Sequence, residues 1–98
     1  MQIEIKERQS SLEKEISAYL ANKLDINEEE ISFTSSIRDL GADSLDFLEM
    51  IMDAEKTYNI TIEDEEAEML GTITDLSKLI CEKLYQDQIQ AIKLFQKS

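Results

Sequence analysis

The sequence contains no histidine, no proline and no tryptophan, and it has only one cysteine and two glycines. Each absence excludes something. Without histidine there is no Ser-His-Asp or Cys-His unit, so no serine or cysteine has the usual general base beside it. A lone Cys81 can form neither an intramolecular disulfide nor a cysteine-cluster metal site. It is expected to act as a small, partly buried hydrophobe in a reducing compartment. No apolar run reaches membrane-spanning length, and residues 1–9 are mostly polar rather than signal-like. No membrane insertion is therefore expected, and a cytoplasmic location is. With no proline and no sustained alternation of β-branched residues, the chain reads as all-α. Basic residues are scarce, 10 against 22 acidic, for a net charge of −12. That excludes holding nucleic-acid phosphates or anionic lipid surfaces, and it favours partners with basic patches.

What is present is concentrated. Between Asp43 and Glu68 there are ten acidic residues and one basic, Lys56. Charge focused in this way reads as a recognition surface, against the alternative of a solvated face. At 98 residues the chain makes one domain with a modest core. The domain is expected over residues 1–85. Residues 86–98 form an extension expected to continue the last helix, with separate docking or dimerisation as alternatives.

The spacing predicts a small helical bundle. A first helix is expected from about Ser10 to Leu24, with Ser10 and Glu13 as a capping box and Leu12, Ile16 and Leu20 on one face. The connection from Asp25 to Asp43 is long for a structureless loop. Ile26, Ile31, Phe33, Ile37 and Leu40 punctuate it as pegs that would pin it to the core, and 27–30 suits a short helical turn. A second helix starts at Asp43 or Ser44 and runs to about Tyr58, with two apolar stripes. Phe47, Met50, Ile51, Ala54 and Tyr58 should face the core. Leu45, Leu48 and Met52, interleaved with Asp46, Glu49 and Asp53, should be partly exposed and suit docking. A short acidic third helix is expected over residues 63–70, ended by Gly71. Thr72, with Asp75 three positions on, would cap a fourth whose buried face is Leu76, Leu79, Ile80 and Leu84.

The residue that stands out is Ser44. It lies where the loop hands over to the acidic helix, just after Leu40 and Gly41, at the positive end of a helix. That is a poor place for an unassisted nucleophile and a good place to hold a phosphate. Taken alone, Asp-Ser-Leu-Asp is a common helix start. Around it the residues 39–46, Asp-Leu-Gly-Ala-Asp-Ser-Leu-Asp, continue into Leu48-Glu49-Met50-Ile51-Met52, Glu55, the acidic run 64–68 and Thr72-Ile73. With these motifs the chain resembles the acyl carrier protein family over about three quarters of its length.

The resemblance implies a right-handed four-helix bundle with a long ordered loop after the first helix and a short third helix. It implies a non-catalytic carrier whose Ser44 bears 4′-phosphopantetheine, transferred from coenzyme A by a Mg-dependent phosphopantetheinyl transferase that supplies base and metal. Acyl chains would ride on the arm's thiol as thioesters, in fatty-acid or related lipid or polyketide-type synthesis. By the same resemblance Asp43, Leu45, Asp46, Leu48, Glu49, Met52 and Glu55 would form the partner-recognition surface for acyl-chain-processing enzymes with basic docking patches. A monomer is expected.

The sequence departs from the family at Lys56, Phe47, Ala54 and Glu63, and in its longer tail. Lys56 stands for an acid, Phe47 for a small or polar residue, Ala54 for a larger aliphatic one and Glu63 for a proline. Phe47 and Ala54 are candidates for mutual compensation in volume.

Four other readings are weighed. An enzyme lacks its base. A calcium protein lacks the EF-hand pattern. A peptidyl or aminoacyl carrier would share Ser44 but usually has Gly-Gly or Gly-His near the serine and less acid. An acidic adaptor for basic partners would leave the loop before Ser44 unexplained.

Overall fold

The computed structural model describes residues 2–84, with side chains from Gln9 onward. Four α-helices carry the fold: α1 (Gln2–Leu24), α2 (Ser44–Tyr58), α3 (Asp64–Glu68) and α4 (residues 73–84). A short 3-10 helix, Glu28–Glu30, interrupts the long connection where a helical turn was expected. The expected helical continuation over 86–98 lies outside the described residues.

The α1 helix begins well before Ser10, which is therefore not its cap. A capping serine acts only where the chain upstream is not helical. Here residues 2–9 contain neither glycine nor proline to break the helix. The expected face does reach the core: Leu12, Ile16 and Leu20 are buried one turn apart. They meet Met50, Ile51 and Ala54 of α2 and Ile73, Leu76 and Ile80 of α4 in one apolar cluster. Burying a Leu or Ile side chain contributes about 1.5–3 kcal/mol, so the fully buried Leu20, Ile73, Leu76 and Ile80 anchor the bundle.

The long connection is held in two ways. Ile31 and Ile37 are buried, and Ile26, Phe33 and Leu40 pack against the core as partly buried pegs. Backbone bonds then clamp the loop to the α3–α4 junction. Ile37 N–H donates to the Gly71 carbonyl at 2.8 Å, Thr74 N–H donates to the Phe33 carbonyl at 3.1 Å, and Ser36 bridges Thr72. Thr74 Oγ1 adds a side-chain tie, 2.9 Å from Glu13 Oε2 on α1.

Helix ends follow local chemistry. Asp25 and Asn59 adopt left-handed backbone after α1 and α2, with φ of 55° and 53°. Lys56 sits exposed in the last turn of α2, where a cation suits the helix dipole. Gly71, expected to end α3, has a different task. The helix already stops at Glu68, and Gly71 N–H joins Thr72 N–H in donating to Asp75 Oδ2 at 3.0 and 3.1 Å. Asp75 N–H donates in turn to Thr72 Oγ1 at 3.1 Å, the expected cap of α4. Leu84 is not part of the buried face; it is 39 % exposed, one turn past Ile80.

Phe47 and Ala54 do not compensate each other. Phe47 lines a cleft facing α3, whereas Ala54 lines a separate groove of about 280 Å³ between α1 and α2.

Candidate functional site at the start of α2

Gly41, at φ +108°, makes the turn into the site with a backbone that a side chain would strain. Two residues on, Asp43 takes the N-cap position. Its carboxylate accepts from Asp46 N–H at 2.8 Å, and Asp46 returns the favour by accepting from Asp43 N–H at 3.2 Å. This reciprocal box has a direct consequence for Ser44. The capping is done by its neighbour, so Ser44 is the first helical residue and its hydroxyl makes no hydrogen bond among the described residues. The side chain is exposed. The first two helical N–H groups, those of Ser44 and Leu45, have no intrahelical partner, as helix geometry requires.

Ser44 opens onto a cleft of about 450 Å³ between α2, α3 and the loop before α2. Phe47, Ile51, Ile62, Ala67 and Leu70 give it apolar walls, while Arg38, Glu55, Asp64 and Glu68 bring charge to its lining. The cleft thus joins an accessible hydroxyl, a helix N-terminus and an apolar interior. An anion fits the first two and an alkyl chain the third.

The expected recognition residues fall into distinct situations. Leu45, Leu48 and Met52 are exposed at 62 %, 54 % and 47 %, so the second stripe of α2 is unpartnered in the described chain. The core-facing stripe is buried at Met50, Ile51 and Ala54, with Phe47 and Tyr58 half-buried. The four acids are all engaged internally. Asp43 and Asp46 form the cap. Glu49 pairs with Lys23 of α1. Glu55 Oε2 accepts from Ile62 N–H at 3.1 Å and so braces the link between α2 and α3. Only Leu48, Met52 and Glu55 of the seven line the cleft with Ser44.

Residues outside the expected set complete the surroundings. Tyr19 of α1 donates its hydroxyl to Asp53 at 2.6 Å, and Tyr58 of α2 donates to Glu15 at 2.5 Å. Burial pushes the Tyr19 hydroxyl up to about 12, helped by the bond to Asp53. Burial also raises Tyr58, with Glu15 second. Lys83 of α4 pairs with Glu66 at 2.7 Å, holding α3 down and keeping the Glu66 carboxyl below its usual range. Asp64 and Glu68 belong to the acidic run already noted in the sequence, and α3 brings them to the cleft; Arg38 had no signal there and reaches it through the packing of the loop. Among the described residues, no group of three or more potential ligands could hold a metal ion, and no helix is long and apolar enough to cross a membrane.

Comparisons with known proteins bear on the family and the fold. A family model described as the phosphopantetheine attachment site matches residues 14–80. An acyl carrier protein of an Exiguobacterium species is 45 % identical over 71 residues, covering 71 % of this chain and 90 % of that protein. One from Wolinella succinogenes is 42 % identical over 67 residues, covering 67 % and 88 %. The solved acyl carrier protein of Thermotoga maritima superposes with a TM-score of 0.71 at 24 % identity, covering 81 % of this chain and 93 % of that one, a likeness of fold. The HMG-ACPI domain of the CurA module from Lyngbya majuscula gives a TM-score of 0.71 at 26 % identity, covering 81 % of each chain.

Proposed function

This chain belongs to the acyl carrier protein family, as a phosphopantetheine-bearing carrier of acyl groups, and from that premise we propose that Ser44 is the residue that bears its 4′-phosphopantetheine. The observation that carries the assignment is a comparison of the serines within the matched residues. Ser17 and Ser77 are buried, and Ser35 and Ser36 are half-buried. Ser32 is exposed, but its hydroxyl lies 3.1 Å from Thr34 Oγ1 in a turn. Ser44 alone combines an exposed, unbonded hydroxyl with a helix N-terminus and an apolar cleft.

The residues present fit the group. The free N–H groups and positive dipole of the first turn of α2 would hold a phosphodiester on Ser44. Ser44 Oγ must give up its proton for attachment, and among the described residues no base of this chain is hydrogen-bonded to it. Proton acceptance therefore falls to the phosphopantetheinyl transferase. Once attached, the group supplies a thiol that holds acyl chains as thioesters, with an activated carbonyl and an acidified α-carbon. The apolar walls of the 450 Å³ cleft suit shelter of an alkyl cargo.

On this reading the outer face of α2 receives acyl-chain-processing enzymes with basic patches. Leu45, Leu48 and Met52 supply the apolar contact, while Asp43, Asp46, Glu49 and Glu55 supply charge. The carrier works as a monomer, in fatty-acid or related lipid or polyketide-type synthesis. Peptide mapping of the modified chain tests the site. The added mass is expected on the peptide containing Ser44, and its appearance on any other serine would overturn the assignment.

A further inference from the structure

The acids of α2 are not equally available to a partner. Glu49 is occupied by Lys23 of α1, whose side chain is only 19 % exposed against 47 % for Glu49. The lysine stem is held in place: its Nζ lies over the Tyr19 ring, 5.9 Å from the centroid, while Tyr19 binds Asp53. One turn of α1 thus takes up two successive acids on one flank of α2. On the other flank, facing α3, Asp64 and Glu68 make no ion pair among the described residues.

We propose that Lys23 is a built-in competitor for the basic surface of a partner protein, masking Glu49 in the free chain and biasing docking toward the α2–α3 flank. The proposal rests on the reading of the outer face of α2 as a docking surface. Its physics is simple. A partner's Lys or Arg that approaches Glu49 must either displace Lys23 or sit beside it, and like charges in contact discriminate strongly between partners. Hydrogen bonding to Glu49 raises the Lys23 ammonium further above its ordinary range, so the competitor keeps its charge throughout the physiological range. Partners that read Leu48, Met52, Asp64 and Glu68 meet Arg38 at the edge of the cleft, an exposed loop cation that makes no ion pair among the described residues and so masks neither acid.

A Lys- and Arg-rich amphipathic helical peptide is the probe, titrated into isotopically labelled protein and followed residue by residue by NMR. With wild type, shift changes are expected at Leu48, Met52, Asp64 and Glu68, with Glu49 and Asp53 little affected. Lys23→Gln is expected to bring Glu49 and Asp53 into the footprint and to tighten binding about two- to five-fold, the range of an exposed ion pair. Lys56→Gln makes the same change in net charge on an exposed lysine without an ion pair among the described residues, and should give less tightening and no new footprint. Lys23→Arg keeps the cation and should match wild type, and Lys23→Gln with Glu49→Gln should lose the gain.

A wild-type footprint already centred on Glu49 and Asp53 would overturn the proposal. So would equal tightening by Lys23→Gln and Lys56→Gln. Failure of the docking reading looks different: the peptide would leave Leu48 and Met52 unperturbed in every variant.

Discussion

Replacing Asp43 separates two things that the residue does at once. Its carboxylate caps α2 through the 2.8 Å bond from Asp46 N–H, and its charge lies beside Ser44. Asp43→Ala deletes the cap and leaves Asp46 N–H without its acceptor. Loss of an N-cap side chain costs about 1 kcal/mol, within a range of roughly 0.5–2. In a domain of this size, 1 kcal/mol lowers Tm by about 4–8 °C. Asp43→Asn retains an acceptor oxygen in the same place and should lose only a few tenths of a kcal/mol. Thermal unfolding by circular dichroism gives the first readout, and hydrogen exchange at the Asp46 amide gives the second. The rate of modification by a phosphopantetheinyl transferase gives the third. The alanine variant is expected to melt earlier, exchange faster at Asp46 and be modified slowly. The asparagine variant should melt near wild type, and its modification rate then reports the charge alone. Asp43→Ala melting at the wild-type temperature, with Asp46 still protected, would refute the argument that the cap organises the site.

Asp75, Tyr19 and Ser17 each give a further expected outcome. Backbone N–H bonds from Gly71 and Thr72 hold the Asp75 carboxyl below its ordinary 3.8. Its contribution to stability is therefore present above that ordinary value and lost as pH falls through the depressed one, so urea unfolding should show the gap between wild type and Asp75→Asn closing only in acid. Tyr19 behaves in the opposite sense. With its hydroxyl pushed from 10.0 to about 12, its contribution is intact below pH 10 and lost as pH rises toward 12, so Tyr19→Phe should flatten that alkaline limb in the same assay. The buried hydroxyl of Ser17 has no hydrogen-bond partner among the described residues. Ser17→Ala removes an unpaired polar group from the core and raises helix propensity, and should stabilise the protein by about 1 kcal/mol in denaturant unfolding.

Much of this was legible because it is local. The two stripes of α2 follow from 3.6-residue periodicity, and the exposed one could be identified once the other was assigned to the core. Thr72 with Asp75 is a sequential capping box and formed as one. Ser10 with Glu13 has the same spacing and did not, because whether a serine caps depends on what precedes it. The pegs Ile31 and Ile37 were visible as isolated apolar residues in a polar loop. The backbone clamp from Phe33 and Ile37 to Thr74 and Gly71 was not, since N–H and C=O groups are common to nearly every residue and pairs this distant leave no pattern. The same limit applies to charge. Counting acids from Asp43 to Glu68 gives the field of the surface, but Lys23 is 26 residues from Glu49 and Tyr19 is 34 from Asp53, so which acids are engaged emerges only from the packing of α1 on α2. Volume shows it as well: Phe47 and Ala54 lie on one helix, yet they line clefts on different sides of it.

The central claim is that this chain carries its prosthetic group on Ser44. Intact mass spectrometry of wild type and Ser44→Ala, before and after incubation with coenzyme A, Mg²⁺ and a broad-specificity phosphopantetheinyl transferase, tests it most directly. Ser44 lies on the surface and does not cap α2, so the variant should keep the wild-type circular dichroism spectrum and melting behaviour. The account predicts a gain of one phosphopantetheine on wild type and none on the folded variant. Equal modification of both, or no modification of folded wild type while a known carrier converts alongside, would contradict it.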